Sequence, residues 1–414
     1  MVNGQRAGAA CLFFGSVVAL VAAGACSAAT SRFGDGTGGN GAAAAGGGGG
    51  FIFTGTGGGG NTTVVWPPCD QGNPSSDQDG DGFTPGAGDC NDCTDLVNPA
   101  AADYPGNTFD EDCNGVADDA SADCDTGISV SSSDPMDGAR AIGLCKVQQG
   151  ASWGVVSAAY GKADGTSGND PLGHGIVSGF GPYVHTQEGV RMLALSSGTA
   201  RQPSDAGWQS PSGYDKGYSS GAPAGYPKES PSCPGVTTGT PFDSEQLYLR
   251  VRTPSNAKSF SFNFNFYTYE FPNYICSQYN DFFVAYLTPK LSSLPDGNIS
   301  FDSQQNTISV NAGFLQVCDP QTAGGKVFPC QLGSQQLTGT GFEGTDPVFD
   351  PGHAATGWLV TNAPLEVAAG LDIELRFAIW DSGDGVLDST VLIDNFQWSL
   401  NETPTGTEPV DIPK

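Results

Sequence analysis

Two short stretches of this chain carry oxygen ligands at a spacing that suits a hard cation. They are Asp77-Gln-Asp-Gly-Asp-Gly-Phe83 and Asp110-Glu-Asp-Cys-Asn-Gly-Val-Ala-Asp-Asp119. Both open with D-x-[DN]-x-[DN]-G, the first half of a calcium loop. Calcium takes six to eight oxygens, so carboxylate and amide oxygens alternate along the turn, and a glycine in sixth place lets the chain double back. In the first stretch Asp77, Asp79 and Asp81 fill the alternating places, Gly82 turns the chain, and the Phe83 carbonyl is the expected backbone ligand. In the second, Asp110, Asp112 and Asn114 precede Gly115, Val116 offers a carbonyl, and Asp118 or Asp119 closes the shell. The twelfth positions hold Gly88 and Ser121 in place of Glu, so neither loop is an EF-hand. From Cys69 to Asp137 there are seventeen Asp and Glu and no Lys, Arg or His. Without cations among them these carboxylates repel one another. The competing reading is a solvated acidic linker of Asx-turns.

A second acidic group, Asp381-Ser-Gly-Asp384-Gly-Val-Leu-Asp388, joins two expected strands and gathers three carboxylates at a sheet edge. It offers a further metal site, with Glu270, Asn280 or Asp281 arriving from another strand. A turn whose Asp side chains cap backbone amides fits the spacing better. Paired acids also raise a glycosidase, which needs two carboxyls about 5–9.5 Å apart. Glu188, Glu245, Glu270, Glu343, Glu366 and Glu374 are available, but none sits in a catalytic frame, and there is no G-x-S-x-G, H-E-x-x-H or P-loop. With His174, His185 and His353 scattered and only three Met, a copper site is disfavoured; the carboxylate loops ask for calcium.

The elements that must position these residues read as exported and β-rich. A net charge of −28 excludes a typical nucleic-acid partner. Twelve cysteines without a zinc constellation point to disulfides in an oxidising compartment. Residues 1–26 form a signal peptide: Arg6, an apolar run from Ala9 to Ala23, then Ala23-Gly-Ala-Cys26, a lipobox with Ala in the usual Leu place. Cys26 would carry a lipid and Cys11 be removed, leaving Cys69, Cys90, Cys93, Cys113, Cys124, Cys145, Cys233, Cys276, Cys318 and Cys330 to pair. Ordinary signal cleavage near the same residues is the alternative. Ser27 after that cysteine favours an outer membrane by analogy with enteric sorting.

Residues 27–66 are a Gly/Ala-rich flexible tether. Residues 67–125 form an acidic, Cys-rich module too poor in apolar residues for a core of its own, so metal and cross-links must hold it. Cys90-Asn-Asp-Cys93 has CxxC spacing without a second CxxC, which favours disulfide over zinc or redox use. Residues 126–402 are read as a jelly-roll-like β-sandwich with one helix over 134–147, and 403–414 as a polar tail. Asp134 and Pro135 open that helix. Strands are expected at 153–160, 246–252, 259–266, 281–288, 298–302, 307–311, 356–361, 371–380 and 389–400. In 259–266 four phenylalanines alternate with Ser and Asn, the period of a half-buried strand. Residues 199–241 read as a long loop with Cys233 stapled, and Cys318 and Cys330 as a pair across a Gly-Gly loop. Tyr267, Tyr269, Tyr274 and Tyr279 offer a sugar-stacking cluster or, alternatively, edge packing.

Two resemblances follow from these residues. Asp-Gly-Asp-Gly-Phe83, Gly88-Asp-Cys-Asn-Asp92, Asn98-Pro99 and Asp110-Glu-Asp-Cys-Asn-Gly115 resemble the MopE-type metal-binding motif, which adds Asp89 and Asp92 to the candidate ligands. The region from about 128 to 400 resembles the choice-of-anchor L domain of bacterial surface proteins. The matching segments are Ala139-Arg-Ala-Ile-Gly-Leu-Cys145, Trp153-Gly-Val-Val-Ser157, Tyr279-Asn-Asp-Phe-Phe283 and Ala378-Ile-Trp-Asp-Ser382 with Leu387-Asp-Ser389. The combination is similar to myxobacterial surface lipoproteins. It implies a lipid-anchored, extracellular β-rich domain used for adhesion or for binding polysaccharide or another surface protein. A surface glycan hydrolase and a purely structural surface-layer component are the alternatives.

Overall fold

The computed structural model describes residues 73–118, 124–311, 313–344, 352–368 and 370–410. The expected signal peptide with Cys26, the expected tether, Cys69 and Asp119 lie outside the described residues.

One helix, α1 (Pro135–Arg140), precedes the strands. They are β1 (Gly154–Gly161), β2 (His174–Val177), β3 (Met192–Ser196), β4 (Pro241–Arg252), β5 (Ser259–Thr268), β6 (Phe282–Thr288) and β7 (Ile308–Ser309). After them come β8 (Gln321–Ala323), β9 (Lys326–Phe328), β10 (Ala354–Ala355), β11 (Leu359–Pro364), β12 (Asp372–Ser382), β13 (Ser389–Ser399) and β14 (Gly406–Pro409). Two antiparallel sheets form a sandwich. One runs β1-β4-β12-β6-β7 and the other β14-β11-β5-β13-β3-β2, with β10 also on β5. β8 and β9 make a separate hairpin.

The alternation in β5 decides what lies between the sheets. Phe260, Phe262, Phe264 and Phe266 all point inward and are 1% exposed or less. They meet the inward rows of β4 (Leu247, Leu249, Val251), β12 (Leu375, Phe377, Ile379) and β13 (Val391, Ile393). Phe262 packs edge-on to Phe377 at 4.9 Å between ring centroids, and Phe264 lies 5.0 Å from Phe283. Each such ring contributes about 1.5–3 kcal/mol by leaving water. The outer face of the second sheet is also covered: Tyr267 and Tyr269 pack with Phe180, Val184 and Phe342. Those two tyrosines, at 0% and 4% exposure, therefore present no sugar-stacking face. The outer face of the first sheet is sealed at one end by Tyr226 against Phe282 and Trp380.

The structure departs from the sequence reading in several places. The helix is six residues long, not fourteen. Gly143, at φ 95°, sits just past it, where its amide bonds the Arg140 carbonyl and the Leu144 amide the Ala139 carbonyl. That is a glycine C-terminal stop, reinforced by the Cys124–Cys145 disulfide next to it. Residues 298–302 make only isolated bridges, Asn298 to Tyr286 and Phe301 to Thr307. The expected polar tail contributes β14, which pairs with β11 from Leu359↔Pro409 to Asn362↔Gly406. Strands β2 and β3 carry buried runs without alternation, so they lacked a period-2 signal.

The long loop 199–241 is stapled by Cys233–Cys276, and Cys318 pairs with Cys330. In the acidic module Cys90 bonds Cys113, and Cys93 is disulfide-bonded as well, so the CxxC cysteines serve different cross-links. The module docks on the β4–β5 turn. Ser255 donates its amide to the Ala100 carbonyl, and Asn256 exchanges side-chain hydrogen bonds with Leu96 and Ala102. Among the described residues no helix is long and apolar enough to cross a membrane.

Candidate metal centres

In the first loop the aspartates hold the chain in its turn through short, local hydrogen bonds. Asp77 accepts the amides of Gly80 (2.6 Å) and Gly82 (3.1 Å), Asp79 that of Asp81 (3.2 Å), and Asp81 that of Phe83 (2.7 Å). Gly80 and Gly82, at φ 83° and 95°, take the left-handed places a side chain would resist. The carboxylates also converge. One oxygen each from Asp77, Asp79 and Asp81 lie within 4.8 Å of one another, as do those of Asp79, Asp89 and Asp92.

Asp79 is thus shared between the turn and the Cys90 segment. Its Oδ2, the Oδ2 of Asp89 and the Oδ1 of Asn91 are buried without hydrogen-bond partners. Asp92, fully buried, is held by the amide and side chain of Gln78 at 2.9 and 3.0 Å. Loss of hydration pushes Asp79 up to about 6, with Asp81, Asp89 and Asp77 adding repulsion against the help of the Asp81 amide. Burial likewise raises Asp81 and Asp89. Crowded oxygens with lone pairs unspent suit a hard cation.

The second loop repeats the turn with a different ligand set. Asp110 accepts the amides of Asn114 (3.0 Å) and Gly115 (2.8 Å), and Asn114 that of Val116 (2.8 Å). The oxygens that converge within 4.8 Å belong to Asp103, Asp110 and Asp112. Asp118 is not brought to them. Its carboxylate is taken by the amides of Asn107 (3.0 Å) and Thr108 (2.9 Å). Asp103, between the two motifs and outside their pattern, was missed; only its place in the same acidic run pointed to it. Lys146 reaches Asp112 at 3.0 Å and bridges the module to the sandwich. Asn98, fully buried, ties the parts together: it donates to Asp81 (2.8 Å) and accepts from Ser255 Oγ (2.7 Å), while its amide reaches the Glu111 carbonyl.

The 381–388 group lies deeper than a sheet-edge turn. Inward rows of alternate residues end in polar groups at the end of the sandwich away from the module. In β12 the row Leu375, Phe377, Ile379 continues to Asp381. In β4 Glu245 precedes Leu247 and lies beside Ile379. Asp281 stands one residue before β6, in step with Phe283, and Glu270 two residues past β5.

All of these acids, with Asp388, are at most 2% exposed. Glu270 accepts the amide of Asp281 at 3.2 Å; Asp281 accepts the Ser382 amide at 3.2 Å and Ser389 Oγ at 2.7 Å. Glu245 accepts from His174 at 3.0 Å and Asn169 at 2.8 Å. Asp381 meets the side chains of Ser197 and Asp281, whereas the carboxylate oxygens of Asp388 and both side-chain polar atoms of Asn280 are buried without hydrogen-bond partners. The expected turn-capping role falls to Asp384 alone, a half-buried carboxylate that takes the Val386 amide.

Burial first, then the neighbouring carboxylates, pushes Glu270 and Asp381 far above the usual carboxylate range. Asp388 is raised far by burial against the pull of Lys216, and Asp281 is pushed up to about 7, again chiefly by burial. Lys216 donates to the Ser196 and Asp243 carbonyls at 2.7 and 3.0 Å. The signal for this layer was an acid standing where an inward row should carry another apolar residue.

Glu188, Glu343, Glu366 and Glu374 do not join these groups: Glu366 binds Ser292 and Glu343 the Gly341 amide. His353 stacks on Tyr269, and His174 on Tyr160. No family model, curated protein or solved structure matches this chain.

Proposed function

We propose that this chain is a calcium-braced surface protein: a lipid on Cys26 anchors it, the acidic loops take calcium, and the β-sandwich binds extracellular polysaccharide or another surface protein. The observation that carries the calcium reading is the convergence of Asp77, Asp79 and Asp81, and of Asp79 with Asp89 and Asp92, with buried oxygens of Asp79 and Asp89 left unpartnered. An all-oxygen donor set without His or Cys thiolate favours calcium over zinc or copper. The residues fit the MopE-type resemblance, and Asn98 explains how filling the loops stiffens the join to the sandwich. The anchor and the binding role rest on the signal-peptide anatomy and the choice-of-anchor resemblance. A glycan hydrolase would need two carboxyls lining a cleft, whereas the acids gathered in the sandwich are buried.

Calorimetric titration of the full chain with calcium tests the metal step. Saturable binding that Asp79→Ala and Asp112→Ala each reduce supports it; no heat of binding, in either variant or parent, overturns it. Glycan binding is then screened in calcium, with a polysaccharide array as the readout.

A further inference from the structure

We propose that the outer face of the second sheet carries a binding groove for a neutral oligosaccharide, formed where β14, β11, β5 and β13 lie side by side. The inference rests on the polysaccharide half of the proposed function and gives it a place and a ligand class.

The register of the sheet builds the groove. Phe260, Phe262 and Phe264 turn into the core, so Ser261 and Asn263 between them turn outward. Asn263 is paired with Val360 of β11 and Asp394 of β13, and Val360 with Glu408 of β14. Ser261 is paired with Gln397. Side chains from four strands therefore share one face, about 14 Å across at three strand spacings. The aromatic cover of this sheet, Phe180 and Phe342 on Tyr267 and Tyr269, lies over the C-terminal end of β5. Over the first half of that strand a groove of about 500 Å³ remains, lined by Ser261, Asn263, Val360, Asn395, Gln397 and Glu408. A bulge in β13 shapes its floor: the register slips between Asp394 and Gln397, and Asn395 sits at φ 54° while Phe396 turns to the core.

Asn263 is the residue that points to a ligand. It is 5% exposed, lines the groove, and its side-chain amide makes no hydrogen bond to any of the described residues. Buried amides find partners in almost every native interior, so this one keeps two donors and an acceptor for whatever enters the groove. Beside it Gln397 donates to Asn395 Oδ1 at 2.7 Å, which fixes both side chains and leaves the Asn395 amino group and the Gln397 carbonyl to face a ligand.

The chemistry of the lining selects the ligand. Amides and a hydroxyl match sugar hydroxyls, which donate and accept alike, and Val360 and Val410 offer small apolar surfaces to the C–H faces of a ring. Val410 is held in place by its amide on the Trp358 carbonyl at 3.0 Å. The lining holds one carboxylate, Glu408, and no Lys, Arg or His, on a chain of net charge −28, so an anionic polymer would meet repulsion without a counter-charge. A peptide strand would add to the β14 edge of the sheet, not lie across its face.

The test applies the full chain, in calcium chloride, to an array of neutral and uronic-acid oligosaccharides, and measures the Kd of the strongest neutral binder by calorimetry. Binding to neutral glycans, weakened at least tenfold by Asn263→Ala and by Gln397→Ala, is the expected result. Gln397 is exposed, so its variant decides the matter if Asn263→Ala does not fold. Neutral-glycan binding that both substitutions leave unchanged, or binding confined to the acidic glycans, overturns the groove and leaves the polysaccharide-binding function standing. No glycan bound by the parent chain overturns both.

Discussion

The molecule concentrates negative charge at two opposite ends of one sandwich, and solves the problem differently at each. At the β4–β5 end Asp77, Asp79, Asp81 and Asp110 sit in loops, exposed or half-buried, each turned onto an amide two to five residues ahead, with Asp89 and Asp92 buried beneath them. At the other end, about 30 Å away along a ten-residue strand, the acids are sealed between sheets and their partners come from distant strands. The outer loop acids, such as Asp77, can relax into water when no cation is present. The interior acids cannot, because the strand register fixes where they point. Local turns therefore make a site that tolerates substitution, and the sheet makes one that does not.

The largest effect should come from the interior. Glu245→Ala strips a fully buried acceptor from His174 and Asn169, and is expected to cost about 3 kcal/mol in denaturant unfolding. Asp77→Ala, at an exposed loop position, should cost under about 1 kcal/mol in chelator. Equal costs would erase the contrast. Removing the Cys90–Cys113 disulfide by a double Ser substitution opens a loop of 23 residues and should cost about 3 kcal/mol of module stability in chelator, less in calcium. Limited proteolysis between 77 and 118 reads that directly.

Asn98→Ala, which breaks the tie between the first loop and Ser255, should cost about 1–3 kcal/mol and loosen the module while leaving the core melting intact. Hydrogen exchange at residues 96–102 and 255–256 is the check.

Asp394 supplies a smaller, single-carboxyl control for the interior cluster. It is buried with the amides of Gln187, Glu188 and Asn395 on it, and burial, with a smaller repulsion from the Glu188 carboxylate, pushes it up to about 7. The folded chain keeps this proton where the unfolded chain, at about 4, has lost it. Its contribution to stability is therefore full below about pH 4 and declines as pH rises to about 7, by something on the order of a few kcal/mol. Asp394→Asn should flatten that part of the stability profile; an unchanged slope would assign it to other groups.

Much of the loop region was legible because its determinants are local. A D-x-D-x-D-G run specifies its own Asx turns, so Asp77, Asp79, Asp81, Asp110 and Asp112 could be read directly. The period-2 phenylalanines of β5 announced a sandwich face just as plainly. Asp103 and the turning away of Asp118 could not be read, because they depend on how the chain between the motifs folds back. The interior layer needed the strand pairing: only beside Ile379 does Glu245 become part of the same floor as Asp381. The early strands β2 and β3 were hidden by burial on both faces, and Gly143 ended the helix through a cap that the apolar stripe masked.

Thermal unfolding of the full chain in calcium and in chelator tests the calcium-braced account most directly. The account predicts a higher melting temperature in calcium, as expected for an ion that binds the folded chain alone, with the gain reduced in Asp79→Ala and in Asp112→Ala. Identical melting in calcium and chelator, with both variants indistinguishable from the parent, would contradict it.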